Sequence, residues 1–283
     1  MKELPITDPL VADALKSLLY EVSVQPKPGL VDPVSSGPHP DMDVFTFIDS
    51  ALSLTEYFTA CSQLGNQFTK NDLTQLFVQL RRWGLKAEQS MLTATKGVNT
   101  HKGAIFSLGI AVGAQAYRKQ HNELTFTFVV QQMLVGLTQN DLQTENLKQK
   151  QSLTAGQRLY LQYGLTGIRG EAQQGFPTVT NWALPALKQA TGTLNERLLD
   201  TLMVILQHSQ DTNLIKRAQT PQIIPWAQQQ ARHFLDLGGA KTVAGKQFLQ
   251  ELNQVFIMKN LSLGGSADLL ILTIFLALQE QIL

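Results

Sequence analysis

Apolar residues recur at helical spacing along almost the whole chain, and this periodicity is the strongest constraint on its fold. In the first such segment Leu10, Ala14, Leu18 and Val22 fall on one face of a helix. Hardly any segment alternates apolar and polar residues with the period of two that a half-buried strand requires. We interpret the one exception, residues 124–130, as helix. The sequence therefore predicts an all-α fold of about a dozen helices.

The chain is expected to form one compact domain over residues 1–283. No proline-, serine- or charge-rich linker divides it, and 43% of its residues are hydrophobic, which is enough for a sizeable core. Gly109 and Gly113 lie four apart in one helical segment and predict close helix packing, not a ligand site. Residues 142–150 have a weak, polar helical pattern and predict one more short helix.

Charge and cysteine content exclude several classes of protein. Lys and Arg number 23 against 22 Asp and Glu, so the chain lacks the basic excess of a nucleic-acid or membrane-surface protein. The single cysteine, Cys61, rules out an internal disulfide and a cysteine-based zinc site. The apolar run at residues 269–278 is about half a membrane span, and the first residues lack a signal core. We expect a cytoplasmic protein.

Residues with ligand chemistry are concentrated in irregular segments between the helical ones. The central motif, GVNTHKG at residues 97–103, places Asn99, His101 and Lys102 between two glycines and before an apolar helix. This arrangement is typical of a phosphate-binding corner. It is not a P-loop, because Lys102 precedes Gly103 and no strand pattern leads into it. The alternative is a polar helix–helix loop with an N-cap.

Four other junctions have the same mixture of glycine, cations and carboxylates. They occupy residues 27–43, 164–177, 211–217 and 264–268. Their candidate ligands are Lys27, Asp32, His39 and Asp41 in the first, Arg169 and Glu171 in the second, Asp211, Asn213 and Arg217 in the third, and Gly264, Gly265, Ser266 and Asp268 in the fourth. Loops held by a rigid scaffold are where function concentrates.

Each junction also has a purely structural explanation. Asp41 and Asp211 are typical helix N-caps, Ser266 would cap the final helix, and Arg169 and Glu171 would pair with each other in a surface loop. In one compact domain, however, such junctions can converge on a single cleft. Their combined chemistry, without a serine or cysteine nucleophile, predicts an Mg²⁺-dependent enzyme that acts on a nucleotide or phosphorylated substrate.

Eight motifs in one order resemble those of the triphosphoribosyl-dephospho-coenzyme A synthase family and cover essentially the whole chain. They are KPGLVD, GPHPDM, GVNTHKGAIFSLG, TAGQRLY, GLTGIRGEA, GFP, DTN and GGSADLLILT. The resemblance implies that ATP and 3′-dephospho-CoA give 2′-(5″-triphosphoribosyl)-3′-dephospho-CoA and adenine. It also implies that a holo-carrier-protein transferase takes the product to citrate lyase; a closely similar branch serves malonate decarboxylase, and both destinations stay open. The motifs leave no room for a fused transferase.

The resemblance also implies residue roles. Glu171 is expected to act as general base or to stabilise an oxocarbenium-like ribose, with Asp32 and His101 as further catalytic groups. His101 or His39 would orient the acceptor or protonate the departing adenine. Mg²⁺ is expected on Asp41, Asp211 and Asp268. The expected substrate-binding residues are Lys27, His39, Asn99, Lys102, Arg169, Asn213, Arg217, Gly264, Gly265 and Ser266.

Two alternatives belong to other classes of function. An Mg²⁺-dependent ADP-ribosyl-type glycohydrolase would use water as acceptor and would need no dephospho-CoA. A non-catalytic partner of a carrier protein would present exposed complementary charge and gives no reason for Asp and Arg at glycine corners.

The family's product is α-linked whereas ATP is β-linked, so one inversion predicts direct displacement, as in inverting glycosidases. The identity of the base, the number of Mg²⁺ ions and the oligomeric state, a homo-oligomer included, stay open.

Overall fold

The computed structural model describes residues 8–144, 147 and 153–283, and the described part of the chain contains helices and no strand. Its α-helices are α1 (Pro9–Ser23), α2 (Val44–Ser53), α3 (Thr55–Gln67), α4 (Thr74–Ala94), α5 (Lys102–Arg118), α6 (Phe126–Met133), α7 (Leu137–Asp141), α8 (Ala155–Tyr163), α9 (Gly167–Gln173), α10 (Leu184–Gln189), α11 (Leu194–His208), α12 (Thr212–Ala218), α13 (Ile223–Asp236), α14 (Val243–Met258) and α15 (Gly264–Gln279). A π-helical turn, Thr178–Ala183, leads into α10, and a 3₁₀ turn, Gly239–Lys241, precedes α14. The all-α prediction is confirmed. Most of the helix predicted over residues 142–150 lies outside the described residues.

Helices α5 and α15 form the centre of the fold because both are apolar on nearly every side. All residues of α15 from Leu269 to Ala277 are buried, and α15 packs against α1, α5 and α11. A helix that is apolar all round is stable only inside a core. In the described part of the chain, none of the helices combines the length and the apolarity that crossing a bilayer requires.

Glycines allow α3 and α5 to approach each other closely. A Cβ atom at Gly109 would lie 1.8 Å from the Tyr57 hydroxyl, which itself donates a hydrogen bond to the Ile105 carbonyl oxygen at 2.9 Å. A Cβ atom at Gly65 would lie 2.3 Å from the carbonyl oxygen of Gly113. The packing role predicted for Gly109 and Gly113 is therefore confirmed.

The polar junctions meet because the helices that follow them begin on the same side of the core. The loop before α2 reaches α12 through His39, whose Nδ1 lies 3.1 Å from Arg217 Nη2. The Asp268 carboxylate of α15 lies against Gly103 at the start of α5, where a Cβ atom would be 1.8 Å from Asp268 Oδ2. Asp211 at the start of α12 accepts a hydrogen bond from the Ser266 amide of α15 at 2.7 Å.

Substitution of Gly65 by alanine should destabilise the fold, because the added methyl group has no space against the α5 backbone. We expect Gly65→Ala to lower the free energy of unfolding by about 1–3 kcal/mol. Gly84→Ala in the middle of α4 is the matched control, since its Cβ would meet nothing closer than 3.6 Å. The control should raise stability by about 0.5–1 kcal/mol. Urea unfolding measures both, and equal effects would contradict the close α3–α5 contact.

Candidate active site

The polar junctions and the last turns of α1 enclose one cleft of about 970 Å³, which is large enough for a nucleotide. Its lining includes His39, Asp41, Asn99, His101, Lys102, Arg169, Glu171, Asp211, Asn213, Arg217, Gly264, Gly265 and Asp268. The predicted convergence on a single cleft is thus confirmed. The other predicted site residues, Lys27, Asp32 and Ser266, do not line it.

Carboxylates gather at the buried side of the cleft, which we call the acidic floor and define as Glu21, Asp211 and Asp268. Glu21 and Asp211 are buried, and Asp268 is partly buried. Burial, reinforced by the charges of Asp211 and Glu21, raises the pKa of Asp268 well above its ordinary value. Burial also raises the pKa of Glu21, against the opposing effect of Lys27. The ionised forms of Asp268 and Glu21 are therefore disfavoured, and a positive charge beside them would favour ionisation.

Asp211 uses both of its oxygens to hold helix N-termini. Its Oδ1 accepts hydrogen bonds from the amides of Asn213 at 2.9 Å, Leu214 at 3.0 Å and Gly265 at 3.3 Å. Its Oδ2 accepts from the amide of Ser266 at 2.7 Å and from the Ser266 hydroxyl at 2.9 Å. These bonds occupy the lone pairs that a metal ion would need. The N-cap alternative therefore describes Asp211, in place of the predicted Mg²⁺ ligand.

The same contacts correct the expectation for the head of α15. The sequence predicts that the amides of Gly265 and the hydroxyl of Ser266 bind a substrate anion, but both donate to the chain's own carboxylate at Asp211. Ser266 is fully buried. A helix N-terminus attracts any anion of suitable size, and here the protein supplies it. Gly264, which packs against Asn213, still lines the cleft.

Lys27 and Asp32 are structural residues behind the cleft, which corrects the predicted ligand and catalytic roles. Lys27 is fully buried, and its Nζ donates to Glu21 Oε1 at 2.5 Å and to the Glu21 carbonyl at 2.6 Å. Asp32 accepts from the amides of Lys27 at 3.1 Å, Val34 at 3.0 Å and Ser35 at 2.9 Å. A buried ammonium needs such a partner, so Lys27 can reach substrate only through Glu21.

Cationic side chains surround the open side of the cleft, which we call the cationic rim. Its members are Lys102, Arg158, Arg169, Lys216 and Arg217. All are exposed or half-buried, in contrast to Glu21 and Asp211 of the acidic floor. Sequence reasoning did not propose Arg158 and Lys216, although Arg158 lies inside the TAGQRLY motif and Lys216 closely follows DTN.

Protein partners orient three of the rim cations. Lys102 Nζ lies 2.6 Å from Glu88 Oε2, and Arg169 Nε lies 2.9 Å from Asp141 Oδ2. The proposed internal pair between Arg169 and Glu171 is therefore replaced by a pair with Asp141. Arg217 is held by two contacts, Nη1 to Asn260 Oδ1 at 2.5 Å and Nη2 to His39 Nδ1 at 3.1 Å.

The remaining polar candidates lie beside the rim. His39 bridges from Arg217 to the Ser262 hydroxyl, which is 3.2 Å from its Nε2. Burial and the neighbouring Arg217 charge lower the pKa of His39. Asn99 Oδ1 accepts a hydrogen bond at 3.3 Å from the amide of Lys102, which is the first residue of α5. Asp41 is exposed and caps no helix, because Asp43 forms the capping box of α2.

Glu171 is the carboxylate on the opposite wall. Its Oε1 accepts from the Thr178 amide at 2.7 Å, at the start of the π-helical turn. Burial raises the pKa of Glu171, and the hydrogen bonds from Thr178 only partly offset this effect. A carboxylate with a raised pKa is better matched to proton abstraction near neutral pH than an ordinary glutamate.

His101 is buried at the start of α5 and lines the cleft. Its Nδ1 lies 2.6 Å from the Ser50 hydroxyl, whereas its buried Nε2 has no hydrogen-bond partner among the described residues. Burial, assisted by the Lys27 charge, lowers the pKa of His101 to about 3. The imidazole is therefore neutral at physiological pH.

Glu21 is the site residue that sequence reasoning missed altogether. It lies in the last turns of α1, within a regular helix, whereas the predicted ligands lie at the junctions. A signal was present: Leu10, Ala14, Leu18 and Glu21 follow one buried helical stripe, of which Glu21 is the ionisable member. An ionisable residue on a buried stripe needs either a partner or a function.

The described residues form no metal site from protein side chains alone. Among the described residues, no three His, Cys, Asp or Glu side chains come together in a group that could hold a metal ion. Mg²⁺ in nucleotide enzymes is commonly held by one or two carboxylates together with substrate phosphates. Of the three predicted ligands, Asp41 and Asp268 line the cleft without the saturation found at Asp211.

Comparison with known proteins gives consistent matches. The family model described as ATP:dephospho-CoA triphosphoribosyl transferase matches residues 9–283. A protein of Lactiplantibacillus plantarum named probable 2-(5″-triphosphoribosyl)-3′-dephosphocoenzyme-A synthase is 59% identical over 274 residues, covering 97% of this chain and 98% of the relative. A protein of that name from Streptococcus equi subsp. equi is 40% identical, covering 95% of each.

A further relative is longer than this chain. Protein CitXG of Leuconostoc mesenteroides subsp. cremoris is 52% identical over 272 residues, which are 95% of this chain and 58% of that protein. No solved structure matches the chain.

Removal of the Lys27 ammonium should destabilise the protein strongly, because Glu21 would stay buried without its partner. We expect Lys27→Met to lower the free energy of unfolding by about 3–5 kcal/mol. Lys102→Met is the control, because the Lys102 side chain is 51% exposed in its ion pair and should contribute less than about 1 kcal/mol. Guanidinium unfolding compares the two. A loss below 1 kcal/mol for Lys27→Met would mean that Glu21 does not depend on Lys27.

Proposed function

Because the chain belongs to the ATP:dephospho-CoA triphosphoribosyl transferase family, we propose that its cleft binds ATP with the triphosphate at the cationic rim and the ribose over the acidic floor. The enzyme transfers the 5-triphosphoribosyl group of ATP to the 2′-hydroxyl of 3′-dephospho-CoA and releases adenine. The observation that carries this conclusion is that residues of seven of the eight motifs, all except GFP, line one cleft. Nothing supports the glycohydrolase alternative.

The separation of charge within the cleft orients the nucleotide. A triphosphate is attracted to Lys102, Lys216 and Arg217 at the rim, and the floor carboxylates would repel it. Arg side chains can hold phosphate oxygens in a bidentate manner, which gives Arg158 and Arg169 a role beside the lysines. The triphosphate is retained in the product, so these contacts persist through the reaction and serve binding and orientation.

The acidic floor suits the reacting carbon. Departure of adenine leaves positive charge on the ribose, as in glycoside hydrolysis. Carboxylates at that position stabilise the transition state more than the ground state, because the developing positive charge favours their ionised form. Glu21 and Asp268 are the floor carboxylates available for this, since Asp211 is bound to helix amides. Lys27 supports Glu21 from behind and keeps its orientation fixed.

Glu171 is the general base in this proposal. It lies outside the acidic floor, lines the same cleft and has a raised pKa. In its ionised form it would accept the proton of the acceptor 2′-hydroxyl as that oxygen attacks the ribose. Attack on the face opposite to adenine inverts the anomeric carbon in one step and requires no covalent intermediate.

A magnesium ion fits the rim better than the floor. Asp41 is exposed there and lines the cleft together with the rim cations, and one carboxylate plus phosphate oxygens is a common arrangement for Mg²⁺. When bound, the ion would neutralise triphosphate charge.

The product carries the triphosphate needed for a second transfer. We propose that a holo-carrier-protein transferase attaches it to the acyl carrier protein of citrate lyase, with malonate decarboxylase as the other destination.

Incubation of the pure protein with ATP, Mg²⁺ and 3′-dephospho-CoA tests the proposal directly. We expect free adenine, measured by chromatography, only when both substrates are present, with a matching mass gain on dephospho-CoA. Omission of each component is the control. Adenine without the acceptor would indicate a hydrolase, and ADP in place of adenine would indicate phosphoryl transfer.

Glu171→Gln should test the base. The base must be ionised, so the wild-type kcat/KM should fall as the pH is lowered through the pKa of Glu171, at a pH above its ordinary 4.5. Glu171→Gln should reduce kcat by about 10²–10⁴-fold and lose this acidic limb. Glu123→Gln, an exposed glutamate far from the lining, is the control. If the acidic limb of the pH dependence of kcat/KM is unchanged in Glu171→Gln, Glu171 is not the base.

A further inference from the structure

We propose that His101 acts as a neutral hydrogen-bond donor, whose Nε2–H binds a ribose hydroxyl oxygen of the substrate, and that Ser50 is the positioning residue that fixes this tautomer. The identity of the acceptor rests on the proposed function. The tautomer does not, because it is a property of the protein alone.

The His101 ring is held rigidly at the cleft wall. It is 1% exposed, and the Phe47 ring packs against it edge-on with centroids 5.0 Å apart at 83°. Its main-chain amide donates to the Met91 sulfur at 3.2 Å. The ring therefore has one orientation, with Nδ1 toward α2 and Nε2 on the other side.

Two hydrogen-bonded hydroxyl groups determine which ring nitrogen of His101 carries the proton. Thr100 Oγ1 donates to Ser50 Oγ at 2.7 Å, and Ser50 Oγ lies 2.6 Å from His101 Nδ1. Because Thr100 donates to Ser50, the proton of the Ser50 hydroxyl is available for His101 Nδ1. Ser50 therefore donates to Nδ1, and in a neutral imidazole the remaining proton is on Nε2.

The Nε2–H group lacks an acceptor in the described part of the protein. Buried donors are almost always paired, so the substrate is expected to supply the missing acceptor when it fills the cleft. Burial and the Lys27 charge keep the imidazole neutral. The sequence-based expectation that His101 protonates the departing adenine therefore conflicts with the structure, since an imidazolium does not form at physiological pH.

The surroundings select a hydroxyl oxygen as the acceptor. The charged donors of the cleft lie at the exposed rim, whereas His101 is buried like the floor residues Glu21 and Asp211. Phosphate would be repelled by the floor, but a ribose hydroxyl is neutral and matches an uncharged donor. The hydroxyl belongs either to ATP or to dephospho-CoA, and substrate analogues distinguish these two sources.

The first experiment measures the tautomer in the full-length protein by ¹⁵N NMR of labelled histidine, at the pH of the activity assay. The chain has five histidines, and the signals missing from His101→Phe identify His101. We expect the neutral Nε2–H form in the wild type and a mixture of tautomers in Ser50→Ala. An imidazolium, or a proton on Nδ1, would overturn the proposal whether or not the protein has the transferase activity.

The second experiment measures adenine release by the variants. His101→Phe should reduce kcat by about 10²-fold or more, because a donor is lost. His101→Gln, which cannot titrate but keeps an N–H donor, should recover at least about ten-fold of that loss. Ser50→Ala should reduce kcat about 10–100-fold, as loss of an orienting partner does. Equal losses in His101→Gln and His101→Phe would overturn the donor role.

Matched controls separate positioning from folding. Ser17→Ala removes another buried hydroxyl, which donates to the Ala14 carbonyl at 2.7 Å outside the cleft lining, and should leave kcat unchanged. Thr100→Val removes the hydroxyl that donates to Ser50. It takes the place of Ser50→Ala if circular dichroism shows that Ser50→Ala is unfolded. Wild-type protein without adenine release would disprove the proposed function and leave the tautomer result standing.

Deoxy analogues of the substrates identify the hydroxyl that accepts the hydrogen bond from His101. Each analogue is combined with His101→Phe as in a double-mutant cycle, and non-additive effects on the rate indicate a contact. If His101 binds a hydroxyl of ATP, then 2′-deoxy- or 3′-deoxy-ATP should abolish the difference in rate between wild type and His101→Phe. If the hydroxyl belongs to dephospho-CoA, its 3′-deoxy form should do so. If the effect of His101→Phe on the rate is fully additive with the effect of each of the three analogues, the contact with these ribose hydroxyls is wrong.

Discussion

The carboxylate of Asp211 joins the two helices on which one side of the cleft depends. Helices α12 and α15 begin side by side because both direct their N-terminal amides to this single group. A buried charge is tolerated only when it is fully hydrogen-bonded, and here each helix end satisfies it. The same interaction decides which groups remain for substrate, because the amides of Gly265 and Ser266 are already occupied. In the proposed function, phosphate recognition is therefore assigned to the rim cations.

Helical periodicity and junction chemistry together predict most of the architecture. Apolar residues recur at helical spacing and hardly ever alternate with polar ones, and this pattern predicts the all-α fold. The spacing of glycines such as Gly109 predicts close packing of helices. The convergence of junctions follows from the need to pack α5 and α15 in one core. These conclusions depend on many residues, so no single assignment decides them.

Individual roles could not be predicted equally well, because caps and ligands use the same residue types. Asp211 and Asp32 have the chemistry of catalytic groups, and only their partners show that they are structural. The Ser266 partner of Asp211 is 55 residues away in the sequence, beyond the reach of local patterns. Glu21 was missed for the opposite reason: it lies within a regular helix, where an ionisable residue is ordinarily a solvated one.

The contact of α1 with α15 has a consequence for biosynthesis. Gln279 bonds to Asp13, and the buried face of α1 packs directly on the final helix. At ribosomal rates of about 5–20 residues per second, roughly ten to fifty seconds separate the emergence of these two elements. During that interval the part of the α1 surface that packs on α15 has no permanent partner, whereas the contacts of α1 with α2, α3 and α5 can already form. We therefore expect the core to be completed only once α15 has left the ribosome, and the apolar face of α1 that packs on α15 to be open to chaperones until then.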